Sequence, residues 1–279
     1  MIAYLRLLRP KHSIKNLLVL LPLVFSGRLL ELPLLGRTVC GVAAFCVLSS
    51  LVYILNDIRD VERDRQHPTK CTRPIASGAV PVSHAVAEGG VLCLLLAALS
   101  WAGHFPPAAW LCMGAYFLLN LGYSFGWKNI PILDIAILVS GFLLRMLLGT
   151  AVTGIAISGW LYLTVTPISF YLGLGKRRGE LRTASGGTRK VLEYYSDSFL
   201  TQNMQMCLTL AVVFYSLWSM DRGENLMWTV PLVLCICLRY SMTVEGNSDG
   251  DPVEVIYQDK VLLLLGAVFA AVTLALLYG

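Results

Sequence analysis

The chain has 279 residues, 56% of them hydrophobic and only 14% charged, with a formal net charge of +5 and a mean hydropathy of +0.68. That excess of apolar side chain excludes an ordinary soluble enzyme, because several nearly uncharged runs exceed the ~18 residues that a bilayer-spanning helix requires. The expectation is an all-α, polytopic membrane protein, a single integral membrane domain over 1–279 with no soluble module and no nucleic-acid partner.

Nine spans are predicted at roughly 17–30, 38–55, 84–102, 107–123, 131–153, 157–175, 200–220, 226–243 and 260–278. The first residues are basic, but the apolar stretch after them lacks a small-residue cleavage site and more spans follow, so no removable signal is expected. With the amino terminus cytoplasmic, eighteen of the 22 lysines and arginines fall on the inner side. Arg28, Arg37 and Arg222 fall outside and Arg145 lies within a span. This positive-inside asymmetry predicts an amino terminus in the cytoplasm and a carboxyl terminus outside. Nearly every polar cluster gathers on the inner side, whereas a pump or channel would spread ionisable groups along a path through the bilayer. An enzyme is favoured whose polar substrate arrives from the cytoplasm and whose second substrate comes from the lipid; a transporter of a phosphorylated lipid is the competing class.

At the entry to the first span, Lys15-Asn16 follows Arg9-Pro10-Lys11. Lys15 either snorkels to headgroups or acts as a compact point charge on a phosphate. The second span ends in Asn56-Asp57-Ile58-Arg59-Asp60-Val61-Glu62-Arg63-Asp64. Continued as a helix, Asn56, Asp60, Asp64 and Asp57 fall within an arc of about 100°. Carboxylates crowded on one face stay ionised when a cation sits among them, and hard oxygen ligands plus substrate phosphate describe Mg²⁺. A plain solvated helix end is the bland alternative. Next come Lys70 and Arg73 on a short loop stiffened by Pro68 and Pro74, read either as positive-inside residues or as neutralisers of phosphate charge.

Tyr123-Ser124-Phe125-Gly126-Trp127-Lys128 links the fourth and fifth spans. In the fifth, Asp134 and Arg145 are three turns apart and are expected to point the same way, about 16 Å apart along the axis. An arginine so deep needs a polar cavity, an anion or helix carbonyls. The sixth span ends in Gly175-Lys176-Arg177-Arg178-Gly179-Glu180-Leu181. Lys176 and Glu180 share a helix face, so this is either a helix-end ion pair or a second anion-binding segment. An acidic loop with Asp251 precedes the last span. Cysteines and histidines show no metal-ligand spacing.

Taken in order, Asn56-Asp57-x-x-Asp60-x-x-x-Asp64 after the second span, Tyr123 to Lys128 after the fourth and the polar segment after the sixth resemble the UbiA superfamily of intramembrane prenyltransferases. That resemblance implies nine helices around a central cavity, with a magnesium-bound diphosphate at its cytoplasmic mouth. Typical members carry a second Asp-x-x-x-Asp after the sixth span; here that place has lost carboxylates and gained cations. In this, in Leu8-Arg9-Pro10-Lys11-x-x-x-Lys15-Asn16, in Asn56 through Ile75 and in Gly250-Asp251-Pro252, the chain is similar to one branch, the decaprenyl-phosphate phosphoribosyltransferases.

The resemblance implies transfer of 5-phosphoribose from 5-phosphoribose 1-diphosphate to a polyprenyl phosphate lipid with release of diphosphate, in the membrane, feeding cell-wall arabinan synthesis, and leaves room for a homo-oligomer. Asp57, Asp60 and Asp64, oriented by Asn56, are then the Mg²⁺ ligands. Lys15, Asn16, Lys70, Arg73, Tyr123, Lys128, Arg145, Lys176, Arg177, Glu180 and Asp251 are the substrate-binding candidates. The alternative within the superfamily, an aromatic or quinone prenyltransferase using a prenyl diphosphate, would want acidic residues at 175–181.

Overall fold

The computed structural model describes residues 2–66, 70–182, 190–246 and 252–279. The described residues are mostly helical and carry no strand, as expected. The chain divides into two compact units: Met1–Ser124 with Leu144–Ile155, and Phe125–Leu143 with Ala156–Gly279.

The first unit opens with α1 (Ile2–Leu7), a 3-10 helix over Pro10–Leu20 and α2 (Leu21–Phe25). The expected first span at 17–30 is therefore not one helix. Pro22, at the start of α2, lacks an amide proton to continue the preceding turn. Gly27, at φ 79°, ends the segment in the left-handed region that glycine enters without strain. α3 (Leu32–Arg59) then runs 28 residues, and a short α4 (Val61–Arg65) follows the break at Asp60. A 3-10 turn at Lys70–Thr72 leads to α5 (Val82–Ala102) and α6 (Pro107–Ser124). The unit's core sets Val19, Phe45, Leu48 and Val52 against Met113, Tyr116, Leu148 and Val152. A smaller cluster of Leu7, Ile54, Ile75 and Leu92 holds α1 and the segment after α4 to α3 and α5.

α7 (Leu133–Thr153) gives its carboxyl-terminal part to the first unit and its amino-terminal part to the second. Gly149 makes the first of these packings: a Cβ there would run into the Val19 carbonyl of the 3-10 segment. Lipid removes the hydrophobic drive between helices, so close approach through such small residues is what holds them.

In the second unit, α8 (Gly159–Arg182) lies antiparallel along α9 (Asp197–Arg222), its end meeting the start of α9 where Arg178 and Arg182 both bond Asp197. Gly173 lets α8 close on Ile135 and Val139 of α7. α9 starts at Ser196, whose hydroxyl accepts from the Phe199 amide, satisfying one otherwise orphaned donor of the first turn. A 3-10 stretch at Glu224–Thr229 leads into α10 (Val230–Glu245), followed by α11 (Pro252–Gln258) and α12 (Lys260–Tyr278). Asp259 caps α12 by accepting from the amides of Val261 and Leu262 and also bonds Arg239 and Thr243 of α10. Those two side-chain bonds hold its carboxyl well below the usual carboxylate range.

Among the described residues, five helical stretches are long and apolar enough to cross a membrane: α3, α5, α7, Asn225–Glu245 and α12. In α5 and α12 only 17% and 11% of the apolar window is buried, so large side chains such as Leu94 and Trp101 of α5 face outward. Such an apolar exterior suits a hydrocarbon solvent and no other.

Candidate active site

The acidic stretch and the basic loop after it fold onto each other in the first unit. Asp57 is 2% exposed; its Oδ1 accepts from Arg9 at 2.5 Å and from Arg73 Nη1 at 3.0 Å. The same Arg73 nitrogen donates to Asp64 Oδ2 at 2.7 Å, so one guanidinium nitrogen bridges two buried carboxylates. Arg9, whose backbone sits in the left-handed region at φ 51°, also lies over the Tyr53 ring at 4.6 Å. Such a backbone is costly for a non-glycine residue, and its side-chain contacts to Asp57 and Tyr53 are what hold it.

The single-face expectation for the acidic stretch is met in part. Asp57 and Asp64 converge on Arg73. Asp60 falls at the junction of α3 and α4, half-buried, and among the described residues its carboxylate has no hydrogen-bond partner. The i to i−4 ladder nevertheless crosses the break through the amides of Asp60 and Asp64. Asn56 does not face the carboxylates: its side-chain oxygen accepts from the Ser124 hydroxyl at the end of α6. Among the described residues no three His, Cys, Asp or Glu side chains stand close enough to hold a metal by themselves.

Arg145 belongs to a second buried cluster of this unit. Its Nε donates to Asn16 Oδ1 at 2.7 Å, and its Nη2 reaches Ser49 and the Tyr116 hydroxyl. The guanidinium also lies over the rings of Phe45 and Tyr116, at 4.7 and 5.0 Å, an attraction strengthened by burial. Asn16, fully buried, donates in turn to Cys46 Sγ. Arg145 thus ties α7 to α3, α6 and the 3-10 segment, and Asn16 lies inside that tie. Lys15 and Lys70 are half-buried in the same unit.

In the second unit Asp134 and Arg177 are each 0% exposed and bond at 2.5 Å. Arg177 Nη1 also reaches Glu180 at 2.8 Å. The other oxygen of Asp134 accepts from the Tyr195 hydroxyl at 2.6 Å, and that hydroxyl accepts from the Ile132 amide at 2.6 Å. Ile132 sits at φ 67°, a strained backbone for a β-branched residue, so Tyr195 supports a conformation that the local chain would not choose. Burial, then the bond to Asp134, pushes the Tyr195 phenol up to about 12. α7 delivers Asp134 and Arg145, three turns apart, to separate partner sets. Lys176 and Lys128 are half-buried, on α8 and on the 3-10 turn Trp127–Asn129, and Tyr123 is half-buried near the end of α6.

Asp251 and the residues 67–69 and 183–189 lie outside the described residues. Sequence reasoning missed Arg9 and Tyr195 as site residues. For Arg9 the signal was the adjacent Pro10, which disfavours a helical residue before it. Tyr195 carries no local signal, because its partners lie 61 and 63 residues away.

Residues 18–255 match the UbiA prenyltransferase family. The decaprenyl-phosphate phosphoribosyltransferase of Corynebacterium glutamicum is 37% identical over 276 residues, covering 94% of this chain and 82% of that protein. The protein of the same name from Mycobacterium tuberculosis is 35% identical over 285 residues, covering 98% and 93%. A solved UbiA homolog from Archaeoglobus fulgidus, bound to GPP and Mg²⁺, superposes with a TM-score of 0.72 at 17% identity and covers 99% of this chain and 100% of that one. A UbiA homolog from Aeropyrum pernix gives 0.63 at 17% identity, over 92% and 96%. The solved structures establish the helical fold; the sequence relatives and the family match establish descent. By that descent the chain belongs to the UbiA prenyltransferase family.

Proposed function

We propose that this chain is a magnesium-dependent pentosyltransferase that moves 5-phosphoribose from 5-phosphoribose 1-diphosphate onto a polyprenyl phosphate and releases diphosphate. The observation that carries the reading is the end of α8. Where prenyl-diphosphate users of the resembled superfamily have a second Asp-x-x-x-Asp, this chain has Gly175-Lys176-Arg177-Arg178-Gly179-Glu180, with Arg177 and Arg178 buried among carboxylates. The names of the relatives that cover nearly the whole chain point the same way.

The donor set at the acidic stretch is all oxygen, and Asp57 and Asp64 already share one cationic nitrogen. Two carboxylates completed by substrate phosphate oxygens are the ligand set that Mg²⁺ favours, so Asp57 and Asp64 fit that ion. When bound, it would supply positive charge to the leaving diphosphate. Arg9 and Arg73 contact diphosphate oxygens with charge-assisted bonds, and Ser124 keeps Asn56 turned at the end of α3.

Lys15, Lys70, Lys128 and Lys176 supply cationic contacts for the remaining phosphate groups, with Tyr123 and Asp251 as polar contacts to the donor. Arg145 with Asn16, and Arg177 with Asp134 and Glu180, hold the helices that carry these groups. A bond forms between a lipid phosphate oxygen and the anomeric carbon while the bond from that carbon to diphosphate breaks. The attacking oxygen is already anionic, so no general base is required. The active face is cytoplasmic, where the donor is dissolved.

The test is incubation of the purified full chain in detergent with labelled 5-phosphoribose 1-diphosphate, decaprenyl phosphate and Mg²⁺. Label is expected in the lipid extract, and EDTA or Asp57→Asn is expected to remove it. Label confined to the aqueous phase, or prenylation of an aromatic acceptor from a prenyl diphosphate, would overturn the proposal.

A further inference from the structure

Two guanidinium groups stand on one carboxylate oxygen in the first unit: Asp57 Oδ1 accepts from Arg9 Nη2 and from Arg73 Nη1. A carboxylate oxygen offers about two acceptor sites, so both are taken. The two arginines are held in unlike ways. Arg73 bridges to Asp64 as well, and its backbone is fixed on both sides, the amide donating to the Lys70 carbonyl at 3.0 Å and the carbonyl accepting from the Ser77 amide at 2.9 Å. Arg9 has one carboxylate partner among the described residues, Asp57. It stands at the opening of the 3-10 segment, where hydrogen-bond geometry is poorer than in an α-helix. Its side chain is 24% exposed, so it has room to leave.

Arg9 also has a second seat. Its guanidinium lies over the Tyr53 ring, and Tyr53 precedes Asp57 by about one turn of α3, so ring and carboxylate are neighbours on one face. His12, whose amide donates to the Arg9 carbonyl at 3.0 Å, places its own ring 6.0 Å from that of Tyr53 at 53°. The Arg9–His12 turn is thus seated on Tyr53 whatever the Arg9 side chain bonds. A guanidinium over a ring face stays attracted to it when its ion pair opens.

The charges say what such an arrangement does. Asp57 and Asp64 are matched by Arg9 and Arg73, which leaves the half-buried Asp60 as the only surplus among these five side chains. A free divalent cation approaching Asp57 meets the Arg9 guanidinium at short range, where like charges repel. A diphosphate brings the missing negative charge, and its oxygens match the planar fork of a guanidinium.

We infer that Arg9 is an exchangeable cation: it holds Asp57 while the donor is away, and gives that carboxylate up to the divalent ion when the donor's diphosphate arrives to receive its guanidinium. The inference rests on the proposed reaction and makes metal binding depend on diphosphate. Tyr53 is then a positioning residue that acts through Arg9, keeping the guanidinium beside the site in both states.

The experiment is equilibrium dialysis of the full chain in detergent against Mn²⁺, an ion that oxygen ligands suit as they suit Mg²⁺, with and without inorganic pyrophosphate. Wild type is expected to hold Mn²⁺ about tenfold more tightly when pyrophosphate is present. Arg9→Gln is expected to move two affinities in opposite directions. Mn²⁺ alone binds about tenfold more tightly, because one like charge is gone. Pyrophosphate in the presence of Mn²⁺ binds about tenfold more weakly, because a charge-assisted bond is lost. Arg9→Lys keeps the charge and is expected to stay near wild type for Mn²⁺ alone. Tyr53→Leu is expected to weaken pyrophosphate binding and Tyr53→Phe to restore it, since the ring face is what Arg9 uses.

An affinity for Mn²⁺ alone that is unchanged or lower in Arg9→Gln overturns the inference, and so does a wild type that binds Mn²⁺ equally with and without pyrophosphate; both leave the metal seat and the reaction standing. A wild type that binds Mn²⁺ under neither condition, or binding that survives Asp57→Asn combined with Asp64→Asn, removes the acidic stretch as the metal seat and the inference with it. The pyrophosphate dependence is read on wild-type protein, so poor folding of a variant does not shelter the idea.

Discussion

Arg73 is the side chain on which the acidic stretch turns. Its Nη1 faces Asp57 and Asp64 together, so Arg73→Ala leaves two buried carboxylates without that partner. The expected loss is about 1–3 kcal/mol, below the ~3–5 kcal/mol of a fully buried pair because Arg73 keeps some solvent contact. It is measured as a fall in the detergent melting midpoint. Arg73→Lys keeps the charge but not the planar fork and is expected to restore stability more than activity.

Tyr195 gives a pH-dependent counterpart. Its folded pKa of about 12 lies above the ordinary value of ~10, so the folded state grips the phenolic proton more tightly. The resulting stabilisation is complete below pH 10 and is lost as pH rises through 12. Tyr195→Phe is expected to be less stable than wild type at neutral pH by about 1–3 kcal/mol, the worth of its buried hydrogen bonds. The gap between their melting midpoints should close between pH 10 and 12; a gap that stays constant to pH 12 would contradict the assignment.

At the scale of elements, closeness of packing decides what the helices tolerate. Gly149→Ala puts a methyl against the Val19 carbonyl, which is backbone and has little room to retreat. The variant is expected to push the 3-10 segment off α7 and to cost about 1–3 kcal/mol; Gly114→Ala, which would meet nothing within 4 Å, serves as the silent control.

The helices themselves were largely legible. Their apolar runs, ended by proline, glycine or charge, place α3, α5, α6, α7 and α12 within a few residues, except that α3 starts well before 38. The first segment was not legible, because apolar composition says that residues 17–30 are buried but not that Pro22 and Gly27 break them into short turns. At the site, the Asp57–Asp64 pairing followed from helical periodicity. The role of Arg145 was open in the sequence, because an arginine in a span reads the same whether it faces a cavity or a set of rings and amides. Arg177 was misleading for a related reason: a run of three cations suggests an exposed anion grip, and nothing local shows that Asp134, 43 residues earlier, accepts from it.

For the whole molecule, the bilayer is the solvent in which these contacts are ordered. An arginine near the middle of a spanning helix costs ~2.5–3.5 kcal/mol on insertion scales, and α7 carries one. The side chains that bond or stack on Arg145 here, Asn16, Phe45, Ser49 and Tyr116, precede it in the sequence. A ribosome releases the amino-terminal receptor before the helix that must dock there. Threading of α7 into the membrane is therefore coupled to earlier folding, and Asn16→Leu is expected to lower the inserted fraction of α7 in a translocon glycosylation assay, whereas Asn16→Leu combined with Arg145→Leu restores it. Moving residues 1–60 behind α12 by circular permutation would leave the nascent arginine facing hydrocarbon until synthesis was complete.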